Sequence, residues 1–114
     1  MGNPVARWQL ITADPDGAAS FYRSLFGWRI RADNSLGYRE VESDRIGGGI
    51  WPAPQTNAFV QLFIEVQDVA ATIDKAASLG AQVIVPKSVL PDGDTMAVLR
   101  DPGGLTLGVM TPRR

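Results

Sequence analysis

The chain of 114 residues says nearly the same thing twice. The first copy runs from Trp8 to Trp51 and the second from Phe59 to Met110. Each opens on a short apolar run that closes at an aspartate, WQLITAD at Asp14 and FIEVQD at Asp68. Each continues into an Ala-rich stretch that ends in leucine and glycine, LFGW at 25–28 and SLGA at 78–81. Aspartate and glycine stand 13 residues apart in the first copy and 12 in the second. Repetition near half the chain length means two copies of one supersecondary unit, and it constrains the fold before any single residue does.

Within the first copy, ARWQLIT at 6–12 alternates as a strand, with Trp8 and Leu10 to one side and Arg7 and Gln9 to the other. Asp14 suits an N-cap and Pro15 the first helical position. Ala18, Ala19, Phe21, Tyr22, Leu25 and Phe26 recur at helical spacing, so 15–25 is expected as an amphipathic helix ended by Gly27. WRIRA at 28–32, YREVES at 38–43 and IGGGIWP at 46–52 follow as three strands. Three glycines in a strand-like run imply close backbone approach or a bulge. PAPQTN at 52–57 reads as the linker.

The second copy keeps the order. In FVQLFIEV, Val60, Leu62, Ile64 and Val66 make one face, and Phe59, Gln61, Phe63 and Glu65 the other. A helix over about 69–79 follows Asp68 and ends at Gly80. QVIVP at 82–86, a turn at PDGD (91–94), TMAVLR at 95–100, a hairpin turn at DPGG (101–104) and LTLGVM at 105–110 complete it. A ferredoxin-like fold would place two strands between its helices and one after the second. Three strands follow each helix here. The expected fold is α+β: one domain over 1–114 built of two tandem βαβββ modules, 6–52 and 58–112, forming a curved mixed sheet around a cleft.

Composition narrows the function. The net charge is −1, with only two lysines, Lys75 and Lys87, so neither nucleic acid nor an anionic membrane is an expected partner. No apolar run approaches the roughly 18–20 residues that span a bilayer, and the N-terminus has no signal-peptide pattern. A cytoplasmic location is expected. The chain contains no cysteine and no histidine. That excludes disulfides and thiol chemistry, and removes the commonest general base and transition-metal ligand. Ser20, Ser24, Ser35, Ser43, Ser78 and Ser88 have no histidine to activate them. The Gly47–Gly49 run lacks the strand–loop–helix context and the Lys-Ser/Thr of a phosphate loop.

DPDGAASFYRSLFGW at 14–28, IGGGIWP at 46–52, FIEVQDVAATIDKAASLGAQVIVP at 63–86 and AVLRDPGGLTLGV at 97–109 resemble the vicinal oxygen chelate superfamily of glyoxalase I, bleomycin-resistance proteins and extradiol dioxygenases. The resemblance spans almost the whole chain. It implies metal ligands at four strand positions, and here they fail. The first-strand ligand falls on Arg7, its counterpart in the second module on Gln61, and the last-strand glutamate on Gly108. The remaining carboxylate belongs near Gly49–Trp51, where no acid occurs. No metal and no cofactor are therefore expected.

The candidate ligand-binding residues are Arg7, Gln9, Trp51, Gln61, Phe63 and Gly108. Arg7 suits an oxyanion, or a salt bridge to Glu65. Gln9 and Gln61 orient a ligand or line a cavity wall. Trp51 and Phe63 stack on a flat ligand, or pack in a core or dimer interface. Gly108 leaves room for the ligand where a glutamate would stand. Glu65 is a candidate base only if desolvated. The reading is a small-molecule binding protein of the glyoxalase/bleomycin-resistance type, metal-free and homodimeric. The alternatives are a lyase, isomerase or dioxygenase-like enzyme with a non-classical site, or a protein-interaction module.

Overall fold

The computed structural model describes residues 2–33, 36–53, 57–90 and 93–113. The linker and the PDGD turn lie partly outside them. The chain forms two compact units, a first of residues 7–61 and a second of residues 1–6 with 62–114. No helix is long and apolar enough to cross a membrane among the described residues.

The strands of the first unit are β1 (Val5–Thr12, whose first two residues go with the second unit), β2 (Ile30–Arg31), β3 (Arg39–Val41) and β4 (Gly47–Pro52), with helix α1 (Pro15–Phe26) between β1 and β2. The strand order is β2-β3-β4-β1. β1 runs parallel to β4, and the other pairs are antiparallel. The second unit repeats this with β5 (Phe59–Glu65, whose first three residues go with the first unit), α2 (Val69–Ser78), β6 (Gln82–Val89), β7 (Thr95–Arg100) and β8 (Thr106–Thr111), ordered β5-β8-β7-β6. β5 is parallel to β8, the other pairs antiparallel. Eight strands in mixed pairing with two helices give the expected α+β fold.

Local chemistry explains the elements. The Asp14 carboxylate accepts from the Gly17 N–H at 3.0 Å, and that of Asp68 from the Ala71 N–H at 3.0 Å. Each satisfies one of the orphan donors of a helix start. Gly27 ends α1 at φ 70°, and Gly80 follows α2 at φ 96°, left-handed values that favour glycine. Within α1, Ala19 is buried and Tyr22 half-buried, while Phe21 is 58% exposed. Phe21 therefore does not pack inward as the helical pattern suggested; with Leu25 one turn on, it lies on the outer face.

Two strands depart from expectation. β2 holds two residues instead of five, because Trp28 joins an aromatic cluster with Tyr22 of α1 and Trp8 of β1. β6 runs on through Pro86 to Val89, with register shifts between Val83 and Val85 and between Val85 and Ser88. An edge strand with bulges accommodates a proline that a central strand would reject.

The second unit's core is Val66, Val69, Ala97, Leu99 and Val109, with Ile73 and Ala76 of α2 packed on it. In the first unit Ile50 is fully buried, beside Ala19 and Val41. Burial of each large aliphatic chain contributes roughly 1.5–3 kcal/mol.

Candidate functional site

Strand alternation gives each unit a helix-facing surface and a helix-free one. In the first unit Trp8 marks the helix side, its ring 5.2 Å from Trp28, which in turn lies 5.1 Å from Tyr22 of α1. Arg7 and Gln9 therefore point to the helix-free face. The parallel register sets Gln9 beside Gly49 and Ile11 beside Trp51. A Cβ at Gly49 would collide with the phenol of Tyr38 unless that ring shifted. Tyr38 lies against Trp51, ring centroids 4.8 Å apart and planes tilted by 39°. The face thus carries an aromatic pair, the Gln9 amide and the Arg7 guanidinium.

Gln9 is only 7% exposed, and its amide makes no side-chain hydrogen bond among the described residues. Arg7 is half-buried. Toward the sheet edge, Glu40 is opposite Gly49, and Arg31 donates to it at 2.8 Å, with Glu42 at 3.6 Å from the same guanidinium. The hydrogen bond and charge of Glu40, then Asp33 and Glu42, raise the Arg31 pKa. Arg31 and Glu40 are both well exposed, so this group neutralises charge at the rim and adds little stability.

Arg39 points to the other face. It donates to Asp16 in the first turn of α1 at 2.7 Å and to the Gly37 carbonyl. This fastens the segment on either side of Tyr38.

In the second unit, Ile64 lies toward α2 with Leu99, Leu107 and Val109 around one recess, so Phe63 points to the helix-free face. Phe63 stands beside Gly108, and a Cβ at Gly108 would collide with its ring. Phe63 is 3% exposed. The room expected over Gly108 is taken by this ring, and no Phe63 face is open for stacking. Gln61, the last residue of the first unit, is buried at 4% exposure. Two recesses beside α2, of about 500 and 360 Å³, include none of Arg7, Gln9, Tyr38 or Trp51.

Tyr38 is the residue the sequence reading missed. Its signal was the IGGGIWP run: a glycine in a strand means that something lies over it.

The metal test is decided by the donor set. Gly49 beside Gln9 and Gly108 beside Phe63 occupy matching places in the two units and offer no side-chain donor. Arg7 is a fixed cation, and Gln61 supplies one neutral oxygen. No group of three or more His, Cys, Asp or Glu placed to hold a metal ion occurs among the described residues. These residues do not fit a transition-metal chelate.

A pair of βαβ-type units with covered strand glycines defines a scaffold class, and comparison with known proteins places the chain within it. A sequence model of the glyoxalase-like domain matches residues 8–110. The chain belongs to the glyoxalase-like family, within the vicinal oxygen chelate superfamily. The protein CFP32 of Mycobacterium bovis and Mycobacterium tuberculosis, which carries a glyoxylase name, is 31% identical over 91% of this chain. The match covers 42% of CFP32, so the chain spans about two-fifths of the length of these relatives. Among solved structures, a hypothetical protein of Bacillus halodurans superposes with a TM-score of 0.75 at 13% identity, covering 100% of this chain and 97% of that one. Methylmalonyl-CoA epimerase of Streptomyces coelicolor gives 0.66 at 15% identity, covering 96% and 97%. A glyoxalase/bleomycin resistance protein/dioxygenase superfamily member of Vibrio splendidus gives 0.65 at 12% identity, covering 97% and 100%. At these identities the solved structures speak for the fold alone.

Proposed function

We propose that the helix-free face of the first unit binds a flat organic molecule carrying a carbonyl or carboxylate, without a metal ion. The observation that carries this reading is the amide of Gln9, which makes no side-chain hydrogen bond among the described residues, next to the Tyr38–Trp51 pair. The amide offers one acceptor and two donors. The aromatic pair offers a stacking surface worth roughly 0.5–1.5 kcal/mol beyond burial. Arg7, on the same face, adds a charge-assisted hydrogen bond of roughly 1.5–3 kcal/mol for an anionic ligand.

The test uses a matched pair of probes, quinoline-2-carboxylate and quinoline-2-carboxamide, titrated by calorimetry. Arg7→Ala is expected to weaken the carboxylate by about tenfold or more and leave the amide nearly unchanged. Equal loss of both probes would make Arg7 structural. Equal affinity in variant and wild type would place the ligand elsewhere.

A further inference from the structure

The internal repeat shows what the second unit lacks. Counted from the capping aspartates, Tyr22 of α1 matches Ala76 of α2, and Trp8 matches Leu62. Counted from the turn glycines, Trp28 matches Ala81. In the first unit these rings join helix to sheet: Tyr22 to Trp28 at 5.1 Å, Trp8 to Trp28 at 5.2 Å, with Phe26 against Trp28 at 5.3 Å. In the second unit two alanines stand where Tyr22 and Trp28 stand in the first.

The missing volume is visible. A recess of about 360 Å³ opens beside α2, with Ala76 and Ala81 in its wall together with Ile64, Leu99, Leu107 and Val109. Leu107 stands where the first unit has Gly48, and takes back part of the space. The polar groups at the recess are already engaged. Asn3 donates to the Glu65 carbonyl at 3.0 Å, and the Thr72 hydroxyl to the Asp68 carbonyl at 2.8 Å. Asp101 accepts from the N–H groups of Gly103 and Leu105 at 2.9 and 3.0 Å.

We propose that this recess is a second binding site, for a neutral apolar arene of about two fused rings, which takes the place that Tyr22 and Trp28 fill in the first unit. Its volume lies within the roughly 300–1,000 Å³ of small-molecule pockets. Its lining gives such a guest apolar contact and asks for no hydrogen bond. The site shares no residue with the Gln9 face, so each stands or falls separately.

The test is naphthalene titrated into the full chain with labelled methyl groups, followed by NMR. Saturable shifts are expected at Ala76, Ala81, Leu107 and Val109, with none at Ile50 of the first unit. Ala76→Tyr and Ala81→Trp rebuild the first unit's rings one at a time, and each should weaken naphthalene by at least tenfold. The wild-type shift pattern decides the matter even if one variant does not fold. Absence of saturable shifts up to the solubility of naphthalene would overturn the proposal. So would undiminished binding by both variants. Sedimentation showing a doubled mass that is lost in Ala81→Trp would mean that a second copy of the chain fills the recess, and would equally overturn it.

Discussion

Tyr38 lies over Gly49 so closely that no other residue fits at position 49 without displacing its phenol. The contact joins the last glycine of the IGGGIWP run to a residue 11 positions earlier in the chain and gives the candidate site its aromatic wall.

Gly49→Ala is therefore expected to destabilise the protein by about 1–3 kcal/mol, the usual effect of overpacking. Tyr38→Ala in the same chain removes the colliding ring. The double variant should then lose less than the sum of the two single changes. Urea denaturation of the four proteins measures this. Strict additivity would mean that the two residues do not touch.

The matching pair in the second unit gives a sharper contrast. Phe63 fills the space over Gly108, so Gly108→Ala should also cost about 1–3 kcal/mol. Phe63→Ala should cost about 3–5 kcal/mol as a buried ring is lost. Both changes should leave the affinity for quinoline-2-carboxamide within about twofold, a difference below about 0.5 kcal/mol. Loss of binding on the Gly108 change alone would move the site to the second unit.

Arg39 and Asp16 form one ion pair but are not equal partners. Asp16 is 87% exposed, and Asp16→Ala should stay within about 0.5 kcal/mol of wild type. Arg39 is 18% exposed and also donates to the Gly37 carbonyl, so Arg39→Ala should cost more, about 1–3 kcal/mol. It should also weaken the quinoline probes, because it frees the segment that carries Tyr38. Thermal denaturation and probe titration of the two variants check both statements.

The fold was legible from residues whose effect is local. Asp14 and Asp68 cap helices because their side chains reach the N–H three residues on. Gly27 and Gly80 adopt positive φ where a helix must stop. Two-residue alternation placed Trp8 against the helix side and Arg7 and Gln9 opposite. What stayed hidden depends on contacts across the sheet. Tyr38 reaches Gly49 only because β3 and β4 pair antiparallel, and no spacing in the chain records that register. Phe63 looked like a stacking face, but alternation gives a residue's side and not what lies beside it; Gly108 made the space that Phe63 fills. Trp28 read as part of a strand, yet its ring lies among Tyr22, Phe26 and Trp8.

Protein purified without chelator is expected to carry no stoichiometric zinc, nickel, iron or manganese. The expectation follows from Arg7, Gln61, Gly49 and Gly108 at the places a chelate would need. Elemental analysis by mass spectrometry decides it, and near-stoichiometric metal would show that donors from elsewhere in the chain assemble a site.

The central claim is that the Gln9 amide is kept for a ligand and not for the fold. Gln9→Met keeps the length of the side chain and removes the amide. Paired measurements of stability in urea and of affinity for quinoline-2-carboxamide test it most directly. An amide without a side-chain partner predicts a variant within about 0.5 kcal/mol of wild-type stability, with affinity reduced about tenfold. A variant that loses stability while binding the probe undiminished would contradict the account and make Gln9 a structural residue.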